Sequence, residues 1–140
     1  MKRVFIDGSA GTTGLRIRER LAGRTDVEVV SLPEELRKDL SARREALNTC
    51  DAAFLCLPDA AAVKAVSLVE NENVVLLDTS TAHRTDPRFV YGFPELSEGH
   101  RNAVLSSNRI AVPGCHASGF IALVYPLIET GMLSADEKLT

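Results

Sequence analysis

Cys115 lies in the sequence VPGCHASG, residues 112–119, where a polar stretch gives way to a long apolar run. Pro113 and Gly114 predict a turn directly before a helix, which places the Cys115 thiol at a helix N-terminus. The helix dipole and the free amide groups of the first turn favour a thiolate there, so Cys115 is a candidate nucleophile. The alternative is a small residue that merely begins a helix, and position alone leaves the two interpretations equally open.

The other cysteines and the histidines are weaker candidates for chemistry. His116 follows Cys115 directly, but successive side chains of a helix diverge by about 100°, so we do not expect His116 to be its acid–base partner. Cys50 precedes a predicted strand and Cys56 lies inside it, where cysteine usually packs as a small hydrophobic residue. The spacing of the three histidines and three cysteines matches no zinc pattern, so no metal site is predicted.

A glycine-rich segment, FIDGSAGTTG at residues 5–14, follows the first predicted strand and leads into a helix. Its spacing is G-x-x-G-x-x-G rather than the strict G-x-G-x-x-G, but the mechanics are similar. Glycines let the backbone approach a pyrophosphate, and the helix amides point at the anion. A tight turn without a ligand is the alternative, but the strand–turn–helix context favours dinucleotide binding. The predicted cofactor residues here are Gly8, Ser9, Gly11, Thr12, Thr13 and Gly14.

The choice of nicotinamide cofactor depends on the end of the second predicted strand. That strand ends in Ser31 and Leu32, and neither is the acidic residue that would hold the ribose diol of NAD. Arg37 and Lys38 follow soon after and can pair with a 2′-phosphate, so we predict NADP, in its reduced form NADPH, as the cofactor. The alternative is that EELRKD, residues 34–39, is only a solvated charged turn.

Further polar residues follow the third and fourth predicted strands, at the sheet edge where ligands of open α/β sheets bind. Leu57 and Pro58 should lie beside the cofactor, although Pro58 could equally well serve only to end its strand. Ser80 can donate hydrogen bonds, and Arg84 can hold a carboxylate or a phosphate unless it is an ordinary surface arginine. His83 is predicted to be a solvated or capping residue rather than a base.

A thiolate beside a nicotinamide suggests one kind of reaction. The thiolate attacks an activated acyl group and expels its leaving group, and the resulting thioester accepts a hydride and collapses to an aldehyde. A general acid–base group, usually a histidine, handles the protons. The glycine turn and Cys115 together therefore indicate reductive chemistry at an acyl group.

Alternating strands and helices must position these residues. Apolar runs predict strands over residues 4–6, 27–32, 52–57, 74–77, 89–91 and 109–112. Helices are predicted over 15–21, from 41, from 59 with Asp59 as its cap, over 97–105, and over 115–129 with Pro126 as a kink or weak turn. Near-continuous apolar strands with short connections indicate an α/β fold, a doubly wound, mostly parallel Rossmann-type sheet covered on both faces. We assign residues 1–112 to a dinucleotide-binding domain and 113–140 to the start of a second, catalytic domain.

Composition and charge narrow the class of protein. The chain has 140 residues, 45% hydrophobic and 25% charged, which suits one compact globular domain. The net charge of −3 argues against a nucleic-acid partner, and no apolar run reaches the roughly 18–20 residues needed to span a bilayer. The start lacks the cleavage site of a signal peptide, and an odd number of cysteines suggests free thiols. We therefore expect a cytoplasmic protein without a membrane segment.

Six motifs occur together in one enzyme family. They are FIDGSAGTTG, LPEELRKD, LCLPDAAA, DTSTAHR, YGFPEL and VPGCHASG. In this order they resemble the short-form N-acetyl-γ-glutamyl-phosphate reductases of arginine biosynthesis over essentially the whole chain. The resemblance implies NADPH-dependent reduction of N-acetyl-γ-glutamyl phosphate to N-acetyl-glutamate 5-semialdehyde with release of phosphate. Aspartate-semialdehyde dehydrogenases share the architecture and the thioester chemistry, but their cysteine usually sits in an Asn-Cys-Thr-like setting, so they are the second candidate.

The resemblance also assigns roles to the candidate residues. It makes Cys115 the nucleophile and places Ser80, Arg84 and residues 91–96 near a small acyl-phosphate substrate. Longer relatives tend to carry Asn where this chain has Val112, which fits the short form and removes one possible polar contact. The cofactor positions that the resemblance implies are Gly8, Ser9, Gly11, Thr12, Thr13, Gly14, Arg37, Lys38, Leu57 and Pro58.

Members of this family are longer than the present chain. The resemblance implies that the remaining part supplies the rest of the substrate domain, the general-base histidine and the subunit interface of a homo-oligomer. We therefore expect this chain alone to bind the cofactor with negligible turnover. Two further interpretations stay open: a stand-alone NADP-binding or redox-sensing module with Cys115 as the sensor, and an oxidoreductase of the same fold in which Cys115 is structural.

Overall fold

The structure, a computed structural model, describes residues 1–139. Within this range the strands are β1 (Lys2–Asp7), β2 (Val27–Val30), β3 (Ala52–Leu55), β4 (Val75–Asp78), β5 (Val90–Tyr91) and β6 (Arg109–Ala111). They form one six-stranded sheet in the order β2-β1-β3-β4-β6-β5, and every neighbouring pair is parallel. The predicted doubly wound, Rossmann-type α/β fold is therefore confirmed.

Helices connect and follow these strands. They are α1 (Thr12–Leu21), α2 (Leu40–Thr49), α3 (Asp59–Val66), α4 (Glu98–Ser106) and α5 (Cys115–Glu129), with a 3-10 turn at Glu34–Leu36. Helix α1 begins three residues earlier than predicted, because the glycine turn leads directly into it. Helix α5 continues past Pro126 to its predicted end. None of the helices in residues 1–139 has the length and apolar character needed to traverse a bilayer.

The start of α3 differs from the prediction. Pro58 occupies the cap position, and Asp59 is already the first helical residue. The Asp59 carboxylate instead accepts hydrogen bonds from the hydroxyl and the backbone amide of Thr81, the latter at 2.9 Å. These bonds lower the pKa of the Asp59 carboxyl below its ordinary value. Asp59 thus ties the start of α3 to the segment that follows β4, rather than capping its own helix.

The core lies between the central strands and helices α2 and α3. Its fully buried side chains include Phe5 of β1, Leu55 of β3, Leu76 of β4, Leu47 of α2 and Ala65 of α3. In β3 and β4 only alternate residues are fully buried, and the residues between them are half-buried. The two faces of the sheet are therefore covered unequally within residues 1–139, whereas the apolar runs predicted burial on both faces.

The strand order creates a switch point between β1 and β3. From β1 the chain passes to β2 on one side, and it then returns to β3 on the other side. The carboxyl ends of β1 and β3 therefore flank a crevice, and open α/β sheets bind their ligands at such a position.

Helix α5 is packed differently from the core helices. It is strongly apolar, yet none of its residues is buried by the rest of residues 1–139. Phe120 and Leu123 are 56% and 75% exposed. The thiol of Cys115 is therefore carried on a helix that the rest of residues 1–139 leaves largely uncovered.

Candidate active site and cofactor cavity

The glycine turn after β1 packs directly on the end of β3. Gly8 has a positive φ of 87°, and a Cβ atom there would lie 2.2 Å from the carbonyl oxygen of Cys56. A Cβ atom at Gly14 would lie 2.5 Å from the Gly8 carbonyl oxygen, so α1 also approaches the turn closely. Glycine is required at both positions, because any side chain would push the turn away from β3 or from α1.

A cavity of about 360 Å³ opens beside this turn. It lies at the switch point between β1 and β3, and the segment that follows β2 closes one side of it. All of the predicted cofactor residues line it except Thr12, Thr13 and Gly14, which form the first turn of α1. The predicted residues in the lining are Gly8, Ser9, Gly11, Arg37, Lys38, Leu57 and Pro58.

The residues present fit an anionic dinucleotide. Gly11 is the N-cap of α1, and no side chain caps this helix, so the amides of the first turn remain for a ligand. Arg37 and Lys38 bring two positive charges to the same cavity. Because Gly8 and Gly11 carry no side chain, the backbone at the turn is open to close approach by a phosphate.

A buried ion pair in the cavity lining escaped the sequence analysis. Arg43 of α2 donates from Nε and Nη2 to Oδ2 of Asp7, at 3.1 and 2.8 Å. The two side chains are only 10% and 5% exposed. The sequence does contain a signal for it, since Arg43 shares the i, i+3, i+4 spacing of the buried residues Ala46 and Leu47.

Cys50 and Cys56 are poorly placed to react. Burial raises the pKa of the Cys56 thiol to about 11, although a hydrogen bond with Thr79 acts in the opposite direction. Burial also raises the pKa of the Cys50 thiol. Cys56 directly follows β3, which ends at Leu55, whereas the predicted strand continued to residue 57. Both thiols are free, as is that of Cys115.

Asp78, at the carboxyl end of β4, organises a buried polar cluster. Its carboxylate accepts hydrogen bonds from the hydroxyl and the amide of Ser80, at 2.7 and 3.0 Å, and lies 2.6 Å from Nδ1 of His83. The His83 ring stacks on Phe89 with a centroid distance of 4.4 Å. The expectation of a solvated or capping His83 is therefore wrong, because Asp78 and Phe89 enclose it at 3% exposure. The predicted substrate residue Ser80 is likewise buried, with its hydroxyl directed to Asp78.

Arg84 connects the end of β4 to the turn before α5. Its Nε donates to the carbonyl oxygen of Val112 at 3.1 Å, and its Nη2 donates to that of Thr79 at 3.2 Å. A Cβ atom at Gly114 would lie 2.5 Å from Nη1 of the same guanidinium. Arg84 is therefore not an ordinary surface arginine, since its charge lies against the residue that precedes Cys115.

Cys115 is the first residue of α5 and is exposed. Gly114 is the N-cap, and no side chain caps the helix. Nδ1 of His116 lies 3.7 Å from the Cys115 sulfur, although helical geometry led us to expect the two side chains to diverge. Rotation of both side chains about their Cα–Cβ bonds brings their ends together, despite the angle between those bonds.

The structure thus forms two groups at the carboxyl edge of the parallel sheet. The cavity brings together the glycine turn, Arg37, Lys38 and the end of β3. At the ends of β4 and β6, Arg84 lies against Gly114, the residue before Cys115. Within residues 1–139 no group of three or more His, Cys, Asp or Glu side chains is placed to hold a metal ion. The sheet, its switch point and the glycine turn define a Rossmann-type nucleotide-binding domain.

Comparison with known families narrows this class. Residues 33–104, just over half of the chain, match the family described as semialdehyde dehydrogenase, NAD binding domain. The chain belongs to this family, and it is an NAD(P)-binding domain of the semialdehyde dehydrogenase type.

Several curated relatives share about half of their aligned residues with this chain. The N-acetyl-gamma-glutamyl-phosphate reductase of Burkholderia orbicola is 51% identical over 133 residues, covering 95% of this chain and 42% of its own length. N-acetyl-gamma-glutamyl-phosphate reductase 2 of Pseudomonas putida is 51% identical over 136 residues, which is 97% of this chain and 44% of the relative. The chain therefore spans less than half the length of the curated relatives it matches.

Solved structures show the same fold at low sequence identity. The aspartate semialdehyde dehydrogenase of Francisella tularensis superposes with a TM-score of 0.66 at 13% identity, covering 94% of this chain and 42% of that one. The aspartate semialdehyde dehydrogenase with NADP from Candida albicans has a TM-score of 0.65 at 17% identity, with 93% and 47% covered. These likenesses support the fold.

Proposed function

We propose that this chain forms the dinucleotide-binding domain and the nucleophile-bearing helix of an NADPH-dependent N-acetyl-γ-glutamyl-phosphate reductase. Residues 1–112 form the first part, and residues 113–140 begin the catalytic domain. The main support for cofactor binding is that one cavity is lined by the glycine turn, Arg37, Lys38 and the end of β3. The high identity to curated reductases of this name supports the substrate part.

In this proposal different residues of the cavity bind different parts of the cofactor. The backbone of Gly8 and Gly11 and the first amides of α1, at Thr12 and Thr13, hold the diphosphate. Arg37 and Lys38 hold the 2′-phosphate that distinguishes NADP from NAD. Ser9, Leu57 and Pro58 complete the lining, and Gly14 acts by letting α1 approach the turn.

Binding measurements on this chain test the choice of cofactor. In fluorescence titrations the double variant Arg37→Ala/Lys38→Ala should weaken NADPH binding by about tenfold or more and leave NADH binding little changed. The matched control is Arg16→Ala/Arg20→Ala, which removes two exposed cations of α1 that lie outside the cavity lining. Equal losses for the two cofactors would contradict the assignment of Arg37 and Lys38.

The Cys115 thiol is the proposed nucleophile. Its thiolate attacks the acyl carbon of the substrate and forms a C–S bond, the bond between that carbon and the phosphate oxygen breaks, and inorganic phosphate leaves with this oxygen. Reduction of this thioester to the aldehyde, with return of the thiolate, uses the hydride that a reduced nicotinamide supplies when bound. Arg84 lies against the adjacent Gly114, where its charge can hold the phosphate of the substrate, and Ser80 helps to fix this segment through Asp78.

Formation of the thioester is a direct test of the substrate. Incubation with N-acetyl-γ-glutamyl phosphate should add an N-acetylglutamyl group to Cys115, detected by mass spectrometry and absent in Cys115→Ser. A preference for β-aspartyl phosphate would instead favour chemistry of the aspartate-semialdehyde dehydrogenase type. Failure of both acyl phosphates to modify Cys115 would contradict covalent catalysis by this chain.

The remaining parts of the proposal concern the whole protein. A small acyl phosphate is the partner, and we propose a cytoplasmic homo-oligomer in which the exposed apolar face of α5, including Phe120 and Leu123, is covered. The general base is expected from the rest of the catalytic domain, in agreement with the relatives being more than twice as long as this chain.

A further inference from the structure

Asp7 presents an electrostatic problem for the proposed cofactor site. It is the last residue of β1, directly before Gly8, and its side chain lines the cavity at only 5% exposure. The proposed site for the diphosphate is the glycine turn that begins at the next residue. A buried carboxylate so close to a phosphate disfavours binding, because like charges repel strongly where water is excluded.

Arg43 provides the compensating charge. Two of its guanidinium nitrogens converge on one oxygen of Asp7, and Arg43 itself lines the same cavity. The pair is neutral as a unit, so the charge that the cavity offers to a ligand is set by Arg37 and Lys38. The neighbouring Arg44 differs, since it pairs with the exposed Glu70 and is itself exposed.

We propose that Arg43 is a positioning residue of the cofactor site, which neutralises Asp7 and so permits a dinucleotide diphosphate to bind at the glycine turn. This inference rests on the proposed dinucleotide binding and extends it to a residue on a different element, α2. The inference assigns cofactor discrimination and diphosphate binding to different residues. Arg37 and Lys38 discriminate NADPH from NADH, whereas the Asp7–Arg43 pair acts equally on both, because both cofactors carry the diphosphate.

Charge variants with opposite signs test the inference. Asp7→Asn keeps the shape and removes the negative charge, so NADPH and NADH should both bind several-fold more tightly. Arg43→Met leaves the carboxylate uncompensated, so both should bind about tenfold or more weakly. The double variant Asp7→Asn/Arg43→Met is neutral again and should return close to the wild-type dissociation constants. Dissociation constants from fluorescence titration give the comparison, with Arg44→Met as the matched control.

A purely structural role predicts a different pattern. If the pair only stabilised the fold, Asp7→Asn and Arg43→Met would both weaken binding, and this result would overturn the inference, as would no change in either. Should Arg43→Met fail to fold, as judged by circular dichroism, the comparison of Asp7→Asn with the double variant decides. Asp7→Asn must bind the cofactors more tightly than wild type, and the double variant must bind them more weakly than Asp7→Asn. Failure of the wild-type chain to bind either cofactor would instead refute the proposed cofactor site.

Discussion

The cavity beside the glycine turn and helix α5 lie at the same edge of the sheet, but they are built in different ways. The cavity is bordered by a turn that makes close backbone contacts, and its charged pair, Asp7 and Arg43, is buried. Helix α5 carries an exposed thiol and has no buried residue within residues 1–139. The contrast indicates that packing within residues 1–112 holds the cavity in place, whereas α5 gains little burial from the sheet.

A pair of glycine substitutions tests this contrast with the largest expected effect. Gly8→Ala places a Cβ atom where only 2.2 Å separates it from a backbone oxygen, at a positive φ. We expect a loss of about 4 kcal/mol in the free energy of unfolding, or failure to fold. Gly119→Ala in α5 meets nothing within 4 Å and should stabilise by up to about 1 kcal/mol through helix propensity. Urea denaturation followed by circular dichroism measures both, and similar effects at the two positions would remove the contrast.

The reactivity of the thiols provides a second test, with an expected effect of intermediate size. The pKa of Cys56 is raised from 9.0 to about 11, chiefly by burial, so almost none of its thiolate exists at pH 8. Iodoacetamide should therefore label Cys56 about a hundredfold more slowly than an exposed thiol, whereas Cys115 should be labelled readily. Peptide mass spectrometry gives the two rates, and labelling in urea provides the control in which all three cysteines are exposed.

The same shift has a consequence for stability. Between pH 9 and pH 11 the unfolded chain loses the Cys56 proton while the folded chain keeps it. The unfolded state then binds fewer protons, so the free energy of unfolding should fall as the pH rises through this window. Cys56→Ala should remove this part of the decline. An unchanged pH dependence in that variant, or rapid labelling of Cys56 at pH 8, would contradict the raised pKa of this half-buried thiol.

The sequence was most informative where function depends on backbone geometry. The turn at residues 8–14 was predicted correctly as a strand–turn–helix unit, because glycine spacing encodes the local conformation directly. The Asp7–Arg43 pair was missed because its members are 36 residues apart, and only the fold brings them together. The burial of His83 could not be predicted either, since it depends on Phe89 and on the position of β4.

Side-chain orientation limited the predictions around Cys115. Helical geometry fixes the direction of the Cα–Cβ bonds but not the rotamers, and His116 reaches the Cys115 sulfur for that reason. The spacing alone could not decide whether Arg84 is an ordinary surface residue or part of an anion-binding site. Its contacts with Val112 and Thr79 require the ends of β4 and β6 to be neighbours, which the strand order supplies.

Arg84 also provides the test with the smallest expected effect, because it joins the end of β4 to the turn before Cys115. Arg84→Ala removes two hydrogen bonds from a partly exposed guanidinium and should lower the free energy of unfolding by about 1 kcal/mol. Arg88→Ala is the matched control, since Arg88 is exposed, pairs with Asp86 only two residues away, and should have a smaller effect.

The charge of Arg84 should also be visible in the reactivity of Cys115. Anionic iodoacetate should gain a few-fold in rate relative to neutral iodoacetamide from a cation beside Gly114, and Arg84→Ala should lose this gain while Arg88→Ala keeps it. The ratio of the two reagents cancels changes in the amount of thiolate, so it reports the local attraction for an anion. If the ratio were the same in Arg84→Ala and in wild type, Arg84 would hold the turn before Cys115 without forming an anion site there, and the substrate phosphate would have to be bound by other residues.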